Sequence, residues 1–132
     1  MDDVINFGVH LTIDGYNGNP EKLNNGDLLK RALNELPEKI GMHVLSEAMV
    51  FEAPPANPKD GGGYSGFVII AESHISCHTF PKRRFVSIDV YTCKNVMDND
   101  AIIKYFTELF ELGDVETNYI KRGTRFPAND LA

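Results

Sequence analysis

The densest run of reactive side chains is Glu72-Ser73-His74-Ile75-Ser76-Cys77-His78-Thr79-Phe80-Pro81, with two histidines, two serines and a cysteine. His74 and His78 stand four apart, a spacing that lets two imidazoles on a helix share a zinc ion. Here the segment reads as a strand, no Glu follows His74 and no third ligand is evident, so no metal is expected. A Ser–His hydrolase would set its serine on a glycine-flanked elbow between strand and helix, and Ser73 has no such glycines. The bland alternative is a polar strand end whose side chains are satisfied locally.

The elements that must position these groups follow from periodicity. Val4 to Ile13 is rich in β-branched and aromatic residues and reads as a strand, broken by Gly15 to Asn19 and Pro20. From Asp27, Leu28, Leu29, Ala32, Leu33, Leu36 and Ile40 fall at helical spacing. Pro37 predicts an end or kink near Leu36, with Gly41 closing the helix. His43 to Phe51 reads as a second strand. Glu52 to Gly63, with three prolines and three consecutive glycines, is a loop.

Strand-like segments follow at Gly66–Glu72, Ile75–Phe80 and Phe85–Thr92, the last alternating Phe85, Ser87, Asp89 and Tyr91 against Val86, Ile88 and Val90. Asp98 or Asn99 can cap a helix bearing Ile102, Ile103, Phe106, Leu109 and Phe110, with Gly113 placed to end it. Val115 to Ile120 returns as an edge strand. The order predicts an α+β two-layer sandwich, helices on one face of a mainly antiparallel sheet. The uncovered face would expose apolar area, and a homodimer stacking two sheets would cover it.

Composition narrows the partners. At 132 residues the chain is a single domain, 1–132, and 42% hydrophobic with 24% charged residues is ordinary globular usage. A net charge of −6 argues against nucleic-acid and anionic-membrane partners and suits a small cationic substrate. No apolar run approaches a membrane span and no leader pattern opens the chain. Cys77 and Cys93 are too few for a disulfide scaffold, so a cytoplasmic protein with reduced thiols is expected.

The run Ile69 to Pro81, followed by Ile88-Asp89-Val90-Tyr91-Thr92-Cys93, resembles the prokaryotic S-adenosylmethionine decarboxylase proenzyme family. The Glu-Ser pair, the His five residues after the Ser, the Cys twenty after it and the pair Ser65-Gly66 all have counterparts in that family. The resemblance implies self-cleavage between Glu72 and Ser73 into a β chain 1–72 and an α chain 73–132. It also implies a pyruvoyl cofactor made from Ser73, which decarboxylates S-adenosylmethionine through a Schiff base in spermidine biosynthesis. His78 would serve the processing, Cys93 would return the proton and Ser65 would help shape the site.

The chemistry has its own logic. Decarboxylating an amino acid leaves a carbanion, and a carbonyl joined to the substrate amine is an electron sink for it. A thiol, with an ordinary pKa of about 8.5, is a reasonable acid for reprotonation. Without the resemblance, Cys93 reads as an ordinary thiol at a strand end. Cys77 reads as core filler, because parity sets it opposite His78. The same parity turns Ser73 and His78 to opposite faces of one unbroken strand, so the two can meet only if the chain bulges between them.

Two departures bear on the substrate. The family has a Glu after its HT-aromatic-Pro motif, where it is expected to hold the ribose hydroxyls. This chain has Lys82, followed by Arg83 and Arg84. An ammonium cannot accept a hydrogen bond from a diol, although three charges in a turn also read as a plain solvated run. The chain also inserts Glu52 to Tyr64 between Phe51, the candidate for stacking on adenine, and Ser65. These changes fit an arginine or ornithine decarboxylase of the same fold, with Glu52, Asp60 or Asp89 receiving the distal cation. A non-catalytic homologue is the remaining alternative, and retention of Ser73, His78 and Cys93 counts against it.

Overall fold

Strands with one apolar face and helices with one apolar stripe can bury both only by stacking as layers. The computed structural model describes residues 6–59, 61–71, 73–127 and 129. Among these, six strands form one sheet: β1 (Gly8–Tyr16), β2 (Met49–Ala53), β3 (Gly63–Ile70), β4 (Ser73–Phe80), β5 (Phe85–Thr92) and β6 (Asp114–Arg122). Their spatial order is β2-β3-β4-β5-β1-β6, with every pairing antiparallel. The helices are α1 (Pro20–Leu23), α2 (Gly26–Lys39) and α3 (Asn99–Phe110). Helix α2 contacts β2 and β3, whereas α3 contacts β1.

One face of the sheet is therefore a core. Leu11 and Ile13 of β1, Val68 and Ile70 of β3, Ile75 and Cys77 of β4, and Val86, Ile88 and Val90 of β5 meet Leu29, Leu33 and Leu36 of α2 and Ile102, Phe106 and Phe110 of α3. The α+β sandwich expected from the sequence is what forms. The alternation in β5 also holds, with Val86, Ile88 and Val90 buried and Phe85, Ser87, Asp89 and Tyr91 half-buried on the other side.

Boundaries differ where local hydrogen bonding outweighs pattern. Helix α2 runs past Pro37 to Lys39, because the proline is buried against the core and the last turn is closed by Ile40 and Met42 amides donating to its carbonyl. The second strand starts at Met49, not His43, and Val44 makes only an isolated bridge to Ile70. Asp98 caps α3 as expected, its side chain accepting from the Ala101 amide. Glu111, at φ 52°, and not Gly113 turns the chain at the far end of α3. Helix α1, capped by Asn19, was hidden in what reads as a break.

Among the described residues, the other face carries no helix. Met49 and Phe51 of β2, Phe67 and Ile69 of β3, Tyr16 of β1 and Ile120 of β6 are all more than a third exposed on it.

Candidate active site

Register places the candidate residues in two groups. Strand β4 pairs with β3 so that Ser65 faces His78, and β3 pairs with β2 so that Phe51 faces Ser65. Phe51, Ser65 and His78 thus form a row across three strands on the open face. Ser65 Oγ and His78 Nδ1 lie 2.8 Å apart. A cavity of about 190 Å³ adjoins the pair, walled by Pro54, Gly62 and Phe80. Phe51 remains 55% exposed.

The second group lies at the other end of β4. Because His74 pairs with Tyr91, Ser73 falls beside the end of β5, and the residue just past that end is Cys93. The Cys93 amide donates to Ser73 Oγ at 3.3 Å. Ser73 is only 7% exposed and points to the helix side, as its parity with Ile75 and Cys77 requires. Two residues twenty apart in sequence are thus neighbours, joined by strand pairing that the linear pattern alone does not supply. Glu72, the other residue of the expected cleavage site, lies outside the described residues.

Strand β4 is paired without interruption, with β3 from Ser73 to His78 and with β5 from His74 to Phe80, and the bulge needed to bring Ser73 to His78 is not there. Five residues of extended chain separate them by roughly 16 Å, on opposite faces. Within one copy His78 cannot act on Ser73. Cys77 sits fully buried in the core, where burial pushes its thiol far above the ordinary range, Asp89 adding to the effect. His74 and His78 share the open face but are about 13 Å apart along the strand, too far to bind one ion.

Lys82 lies exposed in a short 3-10 turn, Pro81–Arg83, and lines a neighbouring cavity of about 360 Å³ together with Glu52, Pro54 and Gly62. Of the other acidic candidates, Asp60 lies outside the described residues. Asp89 is already engaged on the open face. Its Oδ1 is 2.9 Å from His10 Nε2, and its Oδ2 accepts from Ser76 Oγ at 3.4 Å. Arg122 Nη1 lies 3.2 Å from His10 Nδ1, and a guanidinium can only donate, so the proton of this imidazole sits on Nε2 and is given to Asp89. This chain of contacts has no signature in the linear sequence. Strand alternation would place Asp89 on the open face, but His10 is brought to it by a pairing across most of the sequence.

The matching family model is described as S-adenosylmethionine decarboxylase and spans residues 9–123. Relatives named S-adenosylmethionine decarboxylase proenzyme include that of Thermococcus gammatolerans, 32% identical over 93% of this chain and 81% of the relative. That of Clostridium botulinum is 32% identical over 88% of this chain and 94% of its own length. The chain belongs to the S-adenosylmethionine decarboxylase family. The fold agrees: a crystal structure of the adenosylmethionine decarboxylase from Aquifex aeolicus superposes with a TM-score of 0.73 at 24% identity, over 90% of this chain and 92% of that one. The resemblance carried by Ile69 to Pro81 and Ile88 to Cys93 is therefore correct at the level of family and fold.

Proposed function

We propose that the chain is a proenzyme that cuts itself between Glu72 and Ser73, then decarboxylates S-adenosylmethionine in cytoplasmic polyamine biosynthesis. The observation that supports this most is the Cys93–Ser73 contact of 3.3 Å, which puts the candidate proton donor beside the candidate cofactor residue. In the cut, Ser73 Oγ attacks the Glu72 carbonyl and the peptide bond becomes an ester. β-Elimination then releases the Glu72 carboxylate and leaves dehydroalanine at position 73. Hydrolysis of that residue releases ammonia and leaves a pyruvoyl group at the head of the 73–132 chain.

Position 73 suits such a group, because it is shielded, sits at a strand end and has the Cys93 amide as a nearby donor. The pyruvoyl carbonyl would supply the electron sink for the carbanion. Cys93 would hold the proton to be returned to the substrate carbon.

The Ser65–His78 pair needs a different placement. Its face is rich in exposed apolar side chains, and a second copy packed sheet against sheet would cover them. We infer that the working form is a homodimer in which Ser65 and His78 of one copy serve Ser73 of the other. His78 Nδ1 is taken by Ser65, so proton transfer would fall to Nε2.

A second reading, arginine or ornithine as substrate, is favoured by Lys82 and Glu52 lining one cavity. The ammonium cannot accept from a diol, and the carboxylate can receive a distal cation. Carbon dioxide release from S-adenosylmethionine, arginine and ornithine, assayed side by side, tests both. Release from S-adenosylmethionine alone supports the first reading, release from an amino acid alone supports the second, and no release from any of the three rejects decarboxylation.

A further inference from the structure

Three cavities at the Phe80 end of the sheet are walled by the same inserted loop. Pro54 and Gly62 line the cavity beside His78, and Pro54, Pro55, Gly61 and Gly62 line the one beside Lys82. Asn57 and Lys59 line the third, of about 480 Å³, against Tyr16, Phe80 and Phe85. Pro54 to Lys59 are all exposed, so burial does little to hold them.

Arg83 is bonded to the tip. Its Nη2 donates to the Pro58 carbonyl at 2.8 Å and its Nε to the Lys59 carbonyl at 3.2 Å. Asn57 Oδ1 accepts from the Lys59 amide at 2.8 Å, a local turn that fixes the backbone next to those carbonyls. Arg83 itself stands on an anchored turn. Arg84, at φ 52°, donates its amide to the Pro81 carbonyl at 3.1 Å, and its own carbonyl accepts from the Gly18 amide at 3.0 Å. The loop's stem is fixed separately: a Cβ on Gly63, at φ 151°, would lie 1.8 Å from the Thr79 carbonyl oxygen, so only glycine fits there.

We propose that Arg83 is a positioning residue. By holding Pro58 and Lys59 it keeps in place the loop whose Pro54 and Gly62 wall the cavity beside His78, and thereby sets substrate affinity and which distal group of the substrate is accepted. The inference rests on the decarboxylase reading above. A guanidinium fork reaches two adjacent carbonyls at once, which a lysine ammonium does with poorer geometry.

The test uses the full chain and its Arg83→Ala and Arg83→Lys variants, with three readouts: self-cleavage, KM against kcat for the accepted substrate, and digestion after Lys59 by a lysine-specific protease. Arg83→Ala should raise KM about tenfold, as expected for losing charged hydrogen bonds, while kcat and self-cleavage stay within about twofold. Arg83→Lys should fall between, and cleavage after Lys59 should speed up in the same order. A KM within about twofold of the parent in both variants, with self-cleavage normal, overturns the proposal. So does a loss carried by kcat alone. A parent chain that neither cuts itself nor releases carbon dioxide from any of the three substrates fails differently: it removes the decarboxylase reading, and the substrate role of Arg83 with it.

Discussion

The two ends of β4 carry different chemistry on different faces. Near its start, Ser73 is shielded on the helix side, with its oxygen taking the Cys93 amide. Near its finish, His78 is exposed on the open side, bonded to Ser65 and bordering a cavity. The start is built of groups suited to making and serving a carbonyl, and the finish of groups suited to moving protons against something outside the copy. An unbroken strand keeps them apart, so a reaction that needs both requires two copies.

The largest effect should come from removing the hydroxyl at the start of β4. Ser73→Ala should abolish self-cleavage and decarboxylation outright, since no oxygen remains to attack the Glu72 carbonyl. A cut chain in that variant would remove Ser73 from its role. His78→Ala should slow self-cleavage by roughly 10²–10⁴, the usual range for general acid–base assistance. Combining the two variants separates a shared site from a local one. Co-expressed Ser73→Ala and His78→Ala chains should restore cutting of the His78→Ala chain, because its intact Ser73 would meet His78 of the other copy. If the mixture is no faster than His78→Ala alone, a shared site is ruled out.

Cys93→Ala should spare self-cleavage but cut turnover by about 10²-fold, read as product formed per processed chain. Normal turnover would return Cys93 to the status of a plain thiol at a strand end. Smaller in effect, and aimed at the two faces themselves, is a pair of truncations. Phe106→Ala in the core should cost about 3–5 kcal/mol in urea unfolding. Phe67→Ala on the open face should cost less than about 1 kcal/mol at high dilution, rising with protein concentration if a dimer covers that face. A concentration-independent cost for Phe67 would argue that the face stays bare.

Much of this was legible in the residues. Strand β5 alternates so regularly that its faces could be assigned from Phe85 to Thr92, and Asp98 announces the start of α3. Parity alone also stated the conflict between Ser73 and His78. Hidden were contacts created by pairing distant segments. His10 meets Asp89 only because β1 lies beside β5, and Cys93 meets Ser73 only because β5 lies beside β4. Arg83, in a run that reads as solvated charge, turns out to donate to two loop carbonyls, which no local pattern encodes. Pro37 misled for a related reason. A proline ends a helix unless its neighbours close the last turn another way, and here Met42 does so across the turn.

Self-cleavage is tested most directly by the mass of the purified protein, incubated for a prolonged period in its native state and denatured only for the measurement. Two fragments in equal amount are expected, residues 1–72 and residues 73–132, the second lighter than its unmodified sequence because serine has become a pyruvoyl group. A single species with the full mass of the 132-residue chain would contradict self-cleavage.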